Sequence, residues 1–542
     1  MLIKYITFRK GFDVKYENNF TYSALLLFYV DNRTGQMYNR AVKTSRICGK
    51  RRKSMEDKPN EKIKVQPLTP APLLIVLASF DPSGEGVNHY DPEHPELLTD
   101  KTSKYYGEQW AISKPQDCYD RFFGENCRSM MDFYKEMTGN KFWFYPVKID
   151  HPDDGMPEEG VVSVSVPLPH PAALRNLEGY DNGSAAAKAI HDIVCACDKY
   201  IDFKKYDHDG DGIITPNDLA VIILNAGYDH SSCEKDKECG FVDYENGPDP
   251  SHRFQVHGTS QPTDAELSGG VKIVRVSNIG EYRSVKVGLT TMGTPAHELA
   301  HNLGAQDMYS RYTWGDDVEP RWPTPRTFSL MCNGNHIKDG NMPTYIDPYQ
   351  RIYFGWTDVI TADEDGIYTL KSVMTGDRVL KVPTPNPDEY FLFEIRLKKG
   401  FEEFITNDES AGGVVVYHID EGVNREWFLR AQCVSSNRPE GKRHDLGNAL
   451  KPRRGMEEIK DENGKLIRFG PLYSAEKTEG DPFFYKSDDP KTSVFDSAMY
   501  CGAASESYSL NSFPEGVSKD WHLVAEVLDP AGDEMRVRIT RG

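Results

Sequence analysis

The segment Thr294-Pro-Ala-His-Glu-Leu-Ala-His-Asn-Leu-Gly-Ala-Gln-Asp307 concentrates residue types that can do chemistry. His297 and His301 are one helical turn apart, so on a helix both imidazoles reach one metal ion. Glu298 lies beside them, placed to hold and deprotonate a water bound to that metal. Gly304 can take the left-handed conformation that ends a helix, letting the chain double back and present Asp307 as a third ligand. Three protein ligands with one open position is the arrangement of catalytic zinc, not structural zinc. A chance His-Glu-x-x-His in this chain has an expectation of about 0.03. The competing explanation is an amphipathic helix whose histidines are ordinary core or surface residues. Helix-start residues before the motif and Gly-x-x-Asp after it weigh against that. A glutamate ligand from a second helix would have to stand roughly 19 or 20 positions after His301. Pro320 and Arg321 occupy those places, in a proline-rich stretch, and Glu319 is one position off. The compact reading therefore holds, with Asp307 where the usual motif carries a histidine.

Several elements must position this motif. Thr294 is a good N-cap and Pro295 suits the first helical position, so a helix is expected to about Leu303. Leu73 to Phe80 is a continuous aliphatic run bounded by prolines and reads as a fully buried strand. Ser129 can cap a helix with Met130, Phe133, Tyr134 and Met137 on one face and Gly139 at its end. Lys141 to Val147 reads as a strand. Ser184 to Tyr206 reads as a long helix striped by Ile190, Ile193, Val194, Cys197 and Ile201. Strand and helix thus mix, and the fold class is α+β.

After Trp356 the pattern changes to short β-rich runs separated by Gly, Pro, Asn and Asp, with Asp461-Glu-Asn-Gly464 as a hairpin turn. Residues 1–68 read as a leader or pro-like segment, dense in charge before Pro67, Pro70 and Pro72. Residues 69–360 make the catalytic domain and residues 361–542 a β-rich C-terminal domain.

A second cation site is suggested by Asp207-His-Asp-Gly-Asp-Gly212. Asp207, Asp209, Asp211, the Ile213 carbonyl and Asp218 match ligand positions of an EF-hand-type calcium loop, with Gly212 at its sharp turn. Asp218 stands where a longer glutamate is usual. The alternative is a capped helix start formed by Thr215, Pro216 and Asp218. Mutual repulsion among three acids favours calcium in a structural role.

The chain has 542 residues, with 64 Lys and Arg against 83 Asp and Glu, a net charge of −19. Such an acidic surface disfavours nucleic-acid binding. Its longest apolar runs fall well short of the roughly 18 residues a bilayer span requires. Basic residues precede the apolar stretch Ala24 to Val30, but no cleavage-site pattern follows, so no signal peptide is clear.

These motifs together resemble the immune inhibitor A family of secreted, metzincin-like zinc metallopeptidases, from about residue 70 onward. The matching pieces include Leu73 to Phe80, Phe133-Tyr134, Asp207 to Gly212 and Asn225-Ala-Gly227. The zinc motif through Met308-Tyr309, Ser329-Leu-Met-Cys-Asn-Gly334 and Phe354-Gly-Trp356 match too. So do Glu394-Ile-Arg396, His418-Ile-Asp-Glu421 and Gly480-Asp481. Ser310 departs from it, since the family often carries a further acid there. The resemblance implies a metzincin-like catalytic domain, Met331 in the turn beneath the metal, protein or peptide substrates and an extracellular location. Close spacing in polar sequence, with that secreted character, points to disulfides Cys118–Cys127 and Cys233–Cys239; free thiols are the alternative. The rival function is a non-catalytic, calcium-stabilised surface or adhesion protein with a degenerate protease domain, which would have no need of Glu298.

Overall fold

The computed structural model describes residues 68–94, 96–229, 254–256, 258–284, 288–308, 325–385, 389–406, 411–420, 458–460, 466–469, 493–496 and 521–542, and earlier strands at 13–15, 21–30 and 37–43. The chain divides into two compact units, residues 1–64 and 65–542. In the first, the three strands form an antiparallel sheet in sequence order. No helix among the described residues is long and apolar enough to cross a membrane.

The second unit is mixed α+β, as the sequence leads one to expect. Strand β1 (Ala71–Phe80) is buried along its whole length. Its side chains alternate between two cores: Leu73, Ile75 and Leu77 face one, and Leu74, Val76, Ala78 and Phe80 the other. A strand covered on both faces needs apolar residues at every position, which explains the unbroken aliphatic run. The first core takes helix α1 (Met130–Met137), capped by Ser129 and Asp132 in a reciprocal capping box. Strands β2 (Phe144–Pro146) and β3 (Val161–Val166) both pair parallel with β1. The second core takes helix α2 (Asn182–Ala196).

Helix α2 stops ten residues before Tyr206, and the rest of the expected helix is two 3₁₀ turns, Cys197–Lys199 and Phe203–Tyr206. The reason is tertiary. The Tyr200 carbonyl accepts from the backbone N–H groups of Asp150 and His151, which a continuing helix would not allow. The strand expected over 141–147 is likewise shortened to β2.

Strand β4 (Ala220–Asp229) pairs parallel with β1 and carries β5 (Gln255–Val256) at its end. Strand β6 (Thr259–Pro262) is antiparallel to β7 (Arg275–Ser284), which lies parallel to β4, and β8 (Gly288–Leu289) hangs from β7. The order β6-β7-β4-β1-β2 leaves β6 at one edge. Helix α3 (Gly293–Asn302) lies on the first core through Ala296, Leu299 and Ala300. Helix α4 (Pro348–Tyr353) begins at an Asp347 cap with proline in its first turn.

The C-terminal strands are β9 (Asp358–Thr361), β10 (Gly366–Lys371), β11 (Arg378–Pro383), β12 (Glu389–Leu397), β13 (Gly412–Asp420), β14 (Val494–Asp496), β15 (Leu523–Val527) and β16 (Glu534–Arg541). They form a sheet of order β13-β12-β11-β10-β16-β15-β14, with β9 beside β11. The segments 458–460 and 466–469 pair antiparallel on either side of the expected hairpin turn. On β12, Phe391, Phe393 and Ile395 enter a core of the C-terminal sheet alone. Tyr390 and Leu392, on the alternate face, join the same core as α1, α3 and Met331.

Candidate metal centre

Helix α3 begins two residues earlier than expected: its N-cap is Met292, and Thr294 makes no cap. The Thr294 hydroxyl instead accepts from the Arg283 guanidinium at 3.0 Å. Gly293 is required at the first position because a Cβ there would meet the Asn335 carbonyl oxygen at 1.8 Å. At the other end Gly304 has φ +104°. The Gly304 N–H donates to His301 O and the Ala305 N–H to Ala300 O. That 5→2 and 6→1 pair is a Schellman ending, and it turns the chain back as Gly304 suggested.

The turn brings three groups together. His297 Nε2 and His301 Nε2 lie 3.1 Å apart, and Asp307 Oδ1 lies 3.2 and 3.0 Å from them respectively. His297 Nδ1 is 2.9 Å from the Leu330 carbonyl and His301 Nδ1 is 2.8 Å from the Ala305 carbonyl. A carbonyl only accepts, so each Nδ1 carries a proton, and each ring when neutral presents a bare Nε2. Two lone pairs and a carboxylate oxygen so close repel one another unless a cation or shared proton lies among them. Burial opposes ionisation of Asp307, but the charges and hydrogen bonds of His301 and His297 outweigh it and hold the carboxyl well below the usual range. The set could therefore hold a metal ion.

Glu298 is buried beside the pair. A Cβ at Gly258, just before β6, would come 3.5 Å from Glu298 Oε1 and 3.1 Å from the Thr294 methyl. Glu298 and Thr294 thus share the helix face toward the edge strand, with glycine leaving space between. Met331 is fully buried, and its backbone is wired to the site. Its carbonyl accepts from Met308 N–H, next to Asp307, at 2.7 Å, while the preceding carbonyl holds His297.

The support of Asp307 was not read from sequence. Gln350 Oε1 accepts from the Gln306 N–H at 2.6 Å, and Gln350 Nε2 donates to Asp347 at 2.9 Å. Ser329 Oγ donates to the same Asp347 carboxylate at 2.8 Å. The Asp347-Pro348 pair is a helix-start signal that could have located α4, though not its partners. Arg283 and His336, 3.0 Å apart at Nη2 and Nδ1, carry no motif at all.

Asp207, Asp209 and Asp211 also converge, with oxygens within 4.8 Å of one another. Asp218 does not join them. Its Oδ2 accepts from the Thr215 N–H at 2.9 Å and from the Thr215 hydroxyl at 2.6 Å, closing a local turn before β4. Ile213 lies at the start of a two-residue strand directly after the acids.

The expected Cys118–Cys127 disulfide is corrected, since both thiols are free. Cys118 is packed in the first core, and burial pushes its thiol up to about 12, whereas Cys127 is exposed. Cys233 and Cys239 lie outside the described residues. Comparison with protein-family models, curated proteins and solved structures finds no match.

Proposed function

We propose that this chain is a zinc-dependent endopeptidase of metzincin-like architecture, acting on protein substrates outside the cell. The observation that carries the reading is the meeting of three bare acceptor atoms at 3.0–3.2 Å, with each imidazole Nδ1 committed to a carbonyl. Tetrahedral zinc with bonds of about 2.0–2.1 Å places neighbouring donors about 3.3 Å apart. Two imidazoles and one carboxylate also suit zinc better than a hard cation. His297, His301 and Asp307 would hold the ion, which when bound supplies a Lewis acid that polarises a carbonyl and acidifies water. Glu298 takes the proton from the attacking water at a carboxylate oxygen and later returns it to the leaving amine. An extended peptide laid along β6 would pass the face of α3 that presents Glu298.

Asp207, Asp209 and Asp211 would hold calcium as a structural ion, with Gly210 and Gly212 at positive φ shaping the loop. The extracellular location follows from the resemblance to immune inhibitor A peptidases.

The test is zinc content measured together with casein cleavage, with and without chelator. Glu298→Gln should keep zinc and lose about 10²- to 10⁴-fold in turnover. Asp307→Ala should lose both zinc and activity. Normal zinc stoichiometry in Asp307→Ala would remove Asp307 from the ligand set, and parental cleavage by Glu298→Gln would overturn the peptidase mechanism.

A further inference from the structure

Next to the metal centre stands a histidine that the mechanism above does not use. The segment Asn333–Gly340 packs against the start of α3, where the Asn335 carbonyl fills the space that a Cβ on Gly293 would occupy. Gly293, His297 and His301 lie at i, i+4 and i+8, so Asn335 sits on the metal-ligand face, one turn before His297. Arg283, on β7, then bridges two elements: Nη1 donates to Thr294 Oγ1 and Nη2 to His336 Nδ1, each at 3.0 Å. Thr294 precedes Glu298 by one turn on the face toward Gly258. His336 is thereby tied through Arg283 to Thr294, one turn before the general base, and follows Asn335 at the start of the same helix.

Its protonation pattern follows from its partner. A guanidinium only donates, so His336 Nδ1 must accept and the ring proton must reside on Nε2. That Nε2–H has no hydrogen-bond partner among the described residues, and His336 is exposed whereas its partner Arg283 and its chain neighbour Asn335 are buried. Partial burial, then the Arg283 charge, then His297 lower the His336 pKa to about 4, against a weaker opposing pull from Asp229. The ring is therefore neutral near pH 7 and carries its one N–H donor on Nε2, opposite the Arg283 contact.

We propose that the Nε2–H of His336 donates a hydrogen bond to the carbonyl oxygen of the bond being cleaved. This rests on the peptidase reading. No proton is transferred and no bond to His336 forms. The hydrogen bond strengthens as water adds to the carbonyl carbon and the oxygen takes up negative charge, which is how a preorganised donor lowers the barrier. Arg283 is a positioning residue: it keeps Nδ1 occupied and the donor pointing outward.

The test compares the zinc-loaded parent with Glu298→Gln, His336→Phe and His336→Gln on one peptide substrate. His336→Phe should lower kcat by about 10²- to 10³-fold, the usual loss for one such donor. KM should stay within a few-fold and zinc content should be unchanged. His336→Gln, which retains an N–H, should recover part of the loss. Independently of activity, nitrogen-15 NMR of the ring at pH 7 should find His336 neutral with its proton on Nε2. Parental kcat in His336→Phe, while the parent cleaves and Glu298→Gln does not, would overturn this inference alone. A proton on Nδ1 would do the same. An inert zinc-loaded parent would overturn the peptidase reading and this inference with it.

Discussion

The Nδ1–H of His297 donates to the Leu330 carbonyl oxygen over 2.9 Å. Through this bond the orientation of a proposed metal ligand depends on a segment 33 residues further along the chain. That segment is itself held by Ser329, whose Oγ accepts from the Met331 N–H at 3.1 Å and donates to buried Asp347. Outer groups of this kind fix ring orientation and typically change metal affinity by about 10- to 100-fold when removed.

Ser329→Ala should accordingly weaken zinc binding by about tenfold or more without touching a ligand. It should also cost about 1–3 kcal/mol of stability, because Asp347 loses a partner in a buried site. Competition with a zinc chelator and urea unfolding would measure the two effects. Unaltered zinc affinity would disconnect the Met331 turn from the metal.

Calcium should raise the melting midpoint. The three converging carboxylates repel one another in its absence, and an ion that binds only the folded state stabilises it by about 2.7 kcal/mol at a hundred times its Kd. The Asp209→Asn, Asp211→Asn double variant should lose the shift. A midpoint indifferent to calcium in the parent would remove the ion from this loop.

Arg396 should be among the costliest positions to change. It is fully buried, with Nη1 donating to Glu394 at 2.9 Å and to the Phe328 carbonyl at 3.0 Å, and Nε donating to Glu402 at 2.6 Å. Arg396→Met takes the cation from buried Glu402 and leaves Glu394 with Arg351 alone, for an expected loss of about 3–5 kcal/mol. Burial already holds Glu402 above the usual carboxylate range despite Arg396. Without the arginine its pKa rises further, so the folded variant binds a proton the unfolded chain does not. The loss measured by denaturant should therefore be larger at pH 7 than at pH 5.

His336 gives a pH signature of opposite origin. Its pKa in the fold is about 4, lowered from an ordinary value near 6.5. Between those values the unfolded chain binds the proton and the folded chain does not, so this stabilising contribution is complete above about pH 6.5 and declines on acidification toward about 4. Arg283, His297 and Asp229 are the charged and titratable neighbours that set the value. From pH 7 to 5 the parent should lose more stability than His336→Gln at equal metal content. Parallel pH profiles would place the His336 proton elsewhere.

Much of the framework was legible because local chemistry and tertiary need agree. The aliphatic run of β1, the Ser129 cap and the turn at Gly304 each follow from neighbouring residues alone. The His297, His301 and Asp307 cluster was legible because its spacing is a property of one helix and its ending. What escaped depends on distant partners. Thr294 is a good cap by type, but Arg283 claims its hydroxyl. Ser184 to Tyr206 keeps its apolar stripe to the end, but the Tyr200 carbonyl is used by another segment. Asp218 has the right chemistry for a ligand, yet Thr215 is closer to hand. Nothing local marks His336, whose part depends on a guanidinium 53 positions away.

The alternation along β12, with one face in the core of its own sheet and the other in the core beneath α3, makes the two halves of residues 65–542 thermodynamically inseparable. Cutting the chain near residue 360 would strip Val373, Val379, Tyr390, Leu392, Val415 and Ile419 from the core that contains Met331. It would also leave Arg351, bonded at 2.6 Å to Glu394 across the cut, buried without its carboxylate. The C-terminal sheet is thus no detachable appendage but a wall of the core on which the helix of His297 and His301 lies. A shortened chain would have to rebuild that wall before it could fold at all.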